Sequence, residues 1–356
     1  MKKIVFTGGG SAGHVSVNLA LIPLFQQLGW ETAYIGSHQG IERGLIRPLS
    51  DVPYYGIASG KLRRYLDWNN VKDPFKVVQG TWQAYRLLGR LRPDVVFSKG
   101  GFVSVPVVAA ARARSIPVVI HESDVTPGLA NRIASRFAKR ICVTFPETAE
   151  HWPDGKAVYA GAVVREELRQ GVASRGYAFC GFRPGKPVLL IMGGSLGAAS
   201  INRVIRNSLQ ELLPHYQIVH LCGEGQEVPE LAAEGYRQYP FLREELPDVL
   251  TMTELVVSRA GANSIFEFLA LRKPMLLIPL SRKQSRGDQI INAQSFLKRG
   301  FCEVLEEEEL SKTAFLAKLR TLNDHRREYL AAMETSERTD AAQTILRVIL
   351  EESDKE

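Results

Sequence analysis

The chain has 356 residues, 45% hydrophobic and 23% charged, with a formal net charge of +7. That length suggests two domains, and that composition a globular chain with sizeable cores. The charge keeps nucleic acid, anionic lipid and phosphorylated substrates open as partners. The four cysteines, Cys142, Cys180, Cys222 and Cys302, form no Cys-x-x-Cys pair. A zinc knuckle and a redox motif are thereby excluded, and buried free thiols are expected.

At the N-terminus, Met1-Lys2-Lys3 leads into Ile4–Phe6, but the apolar run stops at Thr7 and enters glycines. It is too short for a signal-peptide core. No stretch approaches the roughly 20 apolar residues of a spanning helix. The chain is therefore expected in the cytosol or on a membrane face. Short β-branched runs then alternate with helical patterns. Strands are predicted at Ile4–Phe6, Thr32–Ile35, Val95–Phe97 and Val118–His121, then at Val188–Met192, Ile218–Leu221, Leu255–Ser258 and Met275–Ile278. Continuous apolar strands separated by helices imply parallel sheets covered on both faces.

Between the second and third of these strands, Phe75–Arg92 reads as an amphipathic helix. Phe75, Val78, Trp82 and Tyr85 recur at helical spacing, with Lys72, Lys76, Arg86, Arg90 and Arg92 around them and Lys61, Arg63 and Arg64 just before. Aromatic residues beside cations suit an anionic bilayer interface. The plain alternative is a core-facing helix with a solvated basic side.

A lobe boundary is expected near Gly161–Arg165, giving lobes at 1–163 and 164–325. The polar segment Arg169–Pro187 reads as a linker or lobe-entry loop. The Glu306–Glu309 run reads as a solvated turn or helix start. After Asp324 one long helical pattern ends near Glu351, so 326–356 is expected to return toward the first lobe.

The two halves begin alike. Ile4–Phe6 runs into Gly8-Gly9-Gly10-Ser11-Ala12-Gly13, and Leu189–Met192 runs into Gly193-Gly194-Ser195-Leu196-Gly197. A glycine loop between strand and helix presents backbone N–H groups at the positive end of a helix dipole, which is a phosphate site. A dinucleotide fingerprint also needs an acidic residue at the end of the second strand, and Ile35-Gly36-Ser37-His38 has none. Both loops spell a nucleophile elbow, but a hydrolase uses one. One anion-binding loop per lobe accounts for both runs. Further polar and glycine-rich loops follow the other strands, at Ser98–Ser104, His121–Gly128, Arg259–Ser264 and Ser281–Gln289. In a doubly wound sheet, ligands bind at that edge.

Gly8–His14, Lys99–Pro106, His121–Arg132, Gly193–Asn202, Ser258–Glu267 and Asp288–Ala293 span nearly the whole chain. Together they resemble the undecaprenyldiphospho-muramoylpentapeptide β-N-acetylglucosaminyltransferases of peptidoglycan synthesis. The resemblance implies a GT-B fold: α/β, two doubly wound Rossmann-like lobes with a cleft between them. It implies transfer of GlcNAc from UDP-GlcNAc to the muramoyl 4-hydroxyl of lipid I, giving lipid II with inversion, at the cytoplasmic face of the membrane. Carried over, Ser11, Ala12 and Gly13 approach the sugar and diphosphate, and Asp124 touches the sugar. Arg165 and Leu242 frame the uracil, and Gly194 and Ser195 hold a phosphate. Ala262, Asn263, Ser264, Ile265 and Phe266 present helix-start amides. Glu267 binds the ribose hydroxyls and Gln289 the sugar. The sequence departs from the family pattern at the first loop, Gly10-Ser11-Ala12-Gly13-His14 where many members have Gly-Thr-Gly-Gly-His, at Asp124 where many have asparagine, and at Phe102 where many have tyrosine.

Inverting transfer needs a base for the acceptor proton and stabilisation of the departing diphosphate. His14, at a helix start where the dipole disfavours the protonated ring, is one candidate base. Glu122, just beyond a strand end, is the other, unless it only anchors its own loop. The chain contains no Asp-x-Asp pair, so helix dipoles are expected to replace a metal, and no cofactor is expected. Two alternatives remain: a transferase of the same fold acting on another lipid acceptor such as diacylglycerol, and a basic nucleic-acid-binding protein. The latter calls for a continuous basic stripe and no paired phosphate loops, so nucleic acid is not expected as a partner.

Overall fold

The computed structural model describes residues 1–11, 13–60, 69–194, 197–336 and 339–354, with only the backbone of 69–74. Ala12, Lys61, Arg63, Arg64 and Ser195, and the side chain of Lys72, all given roles from the sequence, lie outside the described residues. The chain forms two compact units, Met1–Val163 with Thr339–Glu356, and Val164–Arg338.

The first unit runs β1 (Lys3–Thr7), α1 (Gly13–Gln27), β2 (Glu31–Ser37), α2 (Ile41–Ile46), β3 (Tyr54–Ile57), α3 (Asn69–Leu91), β4 (Val95–Ser98), α4 (Ser104–Ala113), β5 (Val118–Glu122), α5 (Leu129–Ala134), β6 (Arg140–Val143) and β7 (Ala157–Tyr159). The second runs α6 (Ala173–Cys180), β8 (Val188–Met192), α7 (Ala199–Asn207), α8 (Leu209–Leu212), β9 (Gln217–Leu221), β10 (Tyr236–Tyr239), α9 (Leu246–Met252), β11 (Leu255–Ser258), α10 (Ala262–Ala270), β12 (Met275–Leu277), α11 (Asp288–Lys298), β13 (Cys302–Val304), α12 (Lys312–Asp324) and α13 (Arg326–Glu334). A last helix, α14 (Ala341–Ser353), belongs to the first unit.

Among the described residues all pairs of named strands are parallel. The first sheet has the order β3-β2-β1-β4-β5-β6-β7 and the second β10-β9-β8-β11-β12-β13. Both orders reverse beside the first strand, so each unit is doubly wound with its switch point at the glycine loop. Successive strand residues feed opposite faces. Ile4, Phe6, Phe97 and Val119 pack with α1 and α14, and Val5, Val96 and Ile120 pack with α3 and α4. Burial on both faces is why these strands read as unbroken apolar runs.

Two local expectations change. Within Arg169–Pro187 lies α6, packed on α9. Gly176 makes the contact, since a Cβ there would sit 2.6 Å from Asp248 O. A glycine at the buried face hides the apolar period. After Asp324 there are two helices, α13 and α14, instead of one long one. Thr335 and Ser336 turn their hydroxyls onto the carbonyls of Ala332 and Met333. Asp340 then caps α14 by accepting from Gln343 N at 3.1 Å. Hydroxyl residues compete for backbone groups and favour such breaks. The four cysteines are buried and free, as expected, and burial pushes the Cys142 thiol up to about 12.

Candidate active site

In the second unit, the loops after β8 and β11 meet at the switch point. A cavity of about 570 Å³ opens there, lined among others by Gly193, Gly194, Gly197, Gly261, Ser264 and Gln289. Gly194 and Gly197 have φ of 93° and 74°, a region costly for residues with a Cβ. A Cβ on Gly197 would lie 2.1 Å from Cys222 O. The N-caps of α7 and α10, Ala198 and Gly261, offer no side-chain cap. The first turns of both helices thus direct main-chain N–H groups toward the cavity end of the sheet. Of the five amides from Ala262 to Phe266 carried over from the resemblance, the one at Ile265 is taken within α10. Ile265 N donates to Gly261 O at 3.1 Å, the Ile265 side chain is fully buried, and the Phe266 ring stacks edge-on against Phe296.

Glu267, on α10, accepts from Arg165 through both carboxylate oxygens, at 2.8 and 3.1 Å. Gln289, at the start of α11, lines the cavity, and its Oε1 accepts from Leu280 N at 3.0 Å. Leu242 follows β10 and is half-buried. One residue that sequence reasoning missed is Glu307. Its neighbours Glu306, Glu308 and Glu309 are exposed as expected, whereas Glu307 lines the cavity. It accepts from Arg259 at 2.5 Å, from the Ser200 hydroxyl, and from Ser281 N at 3.0 Å. Burial alone would raise its carboxyl, but these hydrogen bonds prevail and hold it below the usual range. A run of four glutamates carries no pattern that marks one as inward-facing.

In the first unit, the loop after β1 is clamped from several sides. Tyr34 donates its hydroxyl to Gly8 O at 2.8 Å, and Gly9 N donates to Gly100 O at 3.2 Å. Gly10 N donates to Glu42 Oε2 at 3.2 Å. The expectation of an open anion cradle is corrected at Gly9 and Gly10, because the protein already uses both amides. Ser11 is exposed at the loop tip, and Gly13 opens α1. His14 is half-buried, with Nδ1 2.9 Å from Gly9 O. A carbonyl only accepts, so Nδ1 carries the proton and Nε2 is the basic nitrogen of the neutral ring.

Glu122 ends β5 and is 5% exposed. Its carboxylate accepts from Asp124 N at 3.1 Å, Gly128 N at 2.9 Å and Asn131 Nδ2 at 2.9 Å. Two of these hydrogen bonds tie it to its own loop and the third to α5. Asp124 is half-buried, and its carbonyl accepts from Thr148 at 3.2 Å. Lys99, a second residue that sequence reasoning left without a role, is buried and donates to Ser123 Oγ. Burial holds its ammonium below the ordinary range, against the pull of Glu122 and Asp124.

Two family models match the chain: the glycosyltransferase family 28 N-terminal domain over residues 4–143 and its C-terminal domain over 188–346. The chain belongs to glycosyltransferase family 28. Among curated family members, a UDP-N-acetylglucosamine–N-acetylmuramyl-(pentapeptide) pyrophosphoryl-undecaprenol N-acetylglucosamine transferase of Geobacillus thermodenitrificans is 57% identical over 349 residues, 98% of each chain. A Bacillus cereus transferase of the same description is 54% identical over 352 residues, 99% of this chain and all of that one. Among solved structures, Acinetobacter baumannii MurG matches with a TM-score of 0.78 and 25% identity over 99% of this chain and all of that one. A UDP-GlcNAc 2-epimerase from Neisseria meningitidis shares the fold alone, with a TM-score of 0.68 at 13% identity. The family read from the glycine loops and the Ser258–Glu267 motif is the one these relatives represent. The expected pair of Rossmann-like GT-B lobes is the fold observed.

The α3 helix carries apolar residues on two sides. Gly80, Ala84 and Leu88 are buried. A Cβ on Gly80 would sit 2.1 Å from Ala58 O, so only glycine fits that approach. Turned about 140° from that stripe, by 100° per residue, Phe75, Val78, Trp82 and Tyr85 are 75%, 70%, 59% and 41% exposed. Arg86 lies over the Trp82 ring at 4.9 Å and Arg114 over Tyr85 at 3.8 Å. The core-facing alternative for that stripe is excluded. No helix among the described residues is long and apolar enough to cross a membrane.

Proposed function

We propose that this chain transfers GlcNAc from UDP-GlcNAc to the muramoyl 4-hydroxyl of undecaprenyl-pyrophosphoryl-MurNAc-pentapeptide, inverting the anomeric carbon. The observation that carries the reading is the second unit's cavity. Two helix starts without side-chain caps and a glycine loop meet there, and one turn along α10 from Ser264 stands Glu267, held by Arg165. That set suits a nucleoside diphosphate: amides for the diphosphate, Glu267 for two vicinal ribose hydroxyls, and Arg165 with Leu242 for the base. Gln289 and Asp124 serve the sugar.

In the transfer, the acceptor oxygen bonds to the anomeric carbon as the bond from that carbon to the β-phosphate oxygen breaks. The bonding pair leaves with UDP, whose growing charge falls on the amides of α7 and α10. The acceptor proton passes to His14 Nε2. His14 is favoured over Glu122 because the carboxylate of Glu122 already accepts three hydrogen bonds, two from its own loop and one from Asn131 on α5. In this reading the main-chain dipoles at the starts of α7 and α10 carry the diphosphate charge. The exposed aromatic stripe of α3, with Lys76 and Arg86, seats the chain on the anionic cytoplasmic face of the membrane, where a lipid-linked acceptor resides.

The deciding experiment is transfer of labelled GlcNAc from UDP-GlcNAc to a lipid I analogue in the presence of EDTA. The disaccharide product is expected. Turnover with diacylglycerol and none with any lipid I analogue would sink the acceptor assignment. Loss of product on adding EDTA, restored by a divalent ion, would sink the dipole-only account of the leaving group.

A further inference from the structure

One peptide group at the first glycine loop is held at both ends. Its N–H, from Gly10, donates to Glu42 Oε2 at 3.2 Å, and its C=O, from Gly9, accepts from His14 Nδ1 at 2.9 Å. A carboxylate, a peptide and an imidazole therefore stand in series. We propose that Glu42 is a positioning residue for His14, fixing its tautomer and favouring its protonated ring through the Gly9–Gly10 peptide. The catalytic part of this inference rests on His14 being the base.

The site around Glu42 is built for a carboxylate. The side chain is fully buried. Its other oxygen accepts from Ser37 N at 2.9 Å and Ser37 Oγ at 2.5 Å. Three glycines make the room. A Cβ on Gly9 would lie 2.5 Å from the carboxylate carbon, one on Gly40 2.1 Å from Oε1, and one on Gly36 2.9 Å from Cγ. An acidic residue in the first turn of a helix is commonplace. A first-turn carboxylate enclosed by three glycines and turned onto a neighbouring loop is not explained by α2 alone.

The physics runs in one direction. A carboxylate accepting from an amide N–H polarises the peptide and strengthens its carbonyl as an acceptor. A stronger acceptor at Nδ1–H keeps the proton on that nitrogen and makes Nε2 the basic one. It also stabilises the imidazolium that forms when Nε2 takes the acceptor proton. A buried aspartate does the same for the histidine of a serine-protease triad by direct contact; here a peptide is interposed. Among the described residues, the other titratable groups around this corner include Arg43 on α2, His38 after β2, Tyr34 and Tyr54 on β2 and β3, Lys99 after β4, and Glu122 and Asp124 at the end of β5. Of these groups, Glu42 is the carboxylate bonded to the loop peptide.

The test begins with the wild-type protein labelled with ¹⁵N-glycine and ring-labelled histidine. As pH is varied, the Gly10 amide proton is expected to shift with the same midpoint as the His14 ring, and His14 to show the Nδ1–H tautomer. In Glu42→Gln, the His14 midpoint is expected to fall by roughly half a unit or more, because the charge favouring imidazolium is gone. In the transfer assay, kcat is expected to drop roughly three- to tenfold. Its acidic limb should move to lower pH, while the KM for UDP-GlcNAc stays within about twofold. A Gly10 amide indifferent to His14 titration, or an unchanged His14 midpoint in a folded Glu42→Gln protein, would overturn the coupling. A moved His14 midpoint with an unmoved kcat limb would instead retire His14 as the base and leave the coupling standing. If Glu42→Gln fails to fold, the wild-type titration decides alone.

Discussion

Arg165 holds both carboxylate oxygens of Glu267, Nε to Oε1 at 2.8 Å and Nη2 to Oε2 at 3.1 Å. The fork fixes the plane of the carboxylate, and each oxygen keeps a second lone pair for a ribose hydroxyl. On the proposed function, Arg165 thus orients the residue assigned to the ribose, beyond its own assigned place beside the base.

Glu267→Ala is accordingly expected to weaken UDP binding roughly 10- to 100-fold, since hydrogen bonds to charged groups contribute about 1.5–3 kcal/mol. Arg165→Met should weaken it less, by about tenfold, because the carboxylate remains but is no longer held. Titration calorimetry with UDP reads both. Wild-type affinity in Glu267→Ala would remove Glu267 from the donor site.

His14 and Glu122 separate by what each loss does. His14→Ala is expected to lower kcat by about 10²- to 10⁴-fold with UDP affinity nearly kept. Glu122→Ala leaves two loop amides and the Asn131 side chain without their acceptor, so its main effect is on the fold, roughly 2–4 kcal/mol. Thermal melts beside single-turnover transfer distinguish them. A Glu122→Ala protein with a wild-type melt and no turnover would return the base role to Glu122.

How much of this was legible in the sequence follows from where residues sit in the sheets. The eight strands expected from apolar runs are the inner ones: β1, β2, β4 and β5, and β8, β9, β11 and β12. The five not expected are the edge strands β3, β7, β10 and β13, together with β6 next to an edge. An edge strand is covered less fully and tolerates polar residues, as in Tyr236-Arg237-Gln238-Tyr239, so its pattern breaks. The glycine loops were legible because positive φ leaves a composition signature. Glu42 and Glu307 were not. Each is an ordinary glutamate in sequence, and its role arises from backbone groups brought near by the fold. Gly36 near the end of β2 and Gly40 at the N-cap of α2 were the available signal for Glu42, and neither has a positive φ that requires glycine.

Glu307 sets an acid limit on the second unit. Arg259 and Glu307 face each other with side chains 11% and 10% exposed. The folded carboxyl is held below its ordinary value, so its stabilising contribution is complete above the unfolded value of about 4.3 and fades as pH falls through the folded one. Glu307→Gln should therefore lower the melting temperature at pH 7. The gap to wild type should narrow as pH drops below about 4. Calorimetric scans from pH 7 to pH 3 measure it. A gap that widens on acidification would contradict the ion pair as the source.

The last expectation concerns the second apolar stripe of α3. Its buried stripe, at Gly80, Ala84 and Leu88, already satisfies the core, so folding does not account for Phe75 and Trp82 on the other side, 75% and 59% exposed. Leaving such rings in water forgoes about 1.5–3 kcal/mol each that burial would return. Lys76 and Arg86 flank them, and the Arg86 guanidinium over Trp82 keeps a cation beside the ring. An interface that is apolar inside and anionic at its edge meets both demands. Phe75→Ser with Trp82→Ser is expected to weaken binding to phosphatidylglycerol vesicles roughly tenfold or more. Lys76→Gln with Arg86→Gln should weaken it by a similar factor at low salt, at about 1 kcal/mol per cation, and little in neutral vesicles. Both pairs are solvent-facing, so melts and transfer to a water-soluble lipid I analogue should stay near wild type. Vesicle co-sedimentation beside that soluble assay checks the assignment. Unchanged sedimentation of the Phe75/Trp82 double variant would move the membrane contact to another surface.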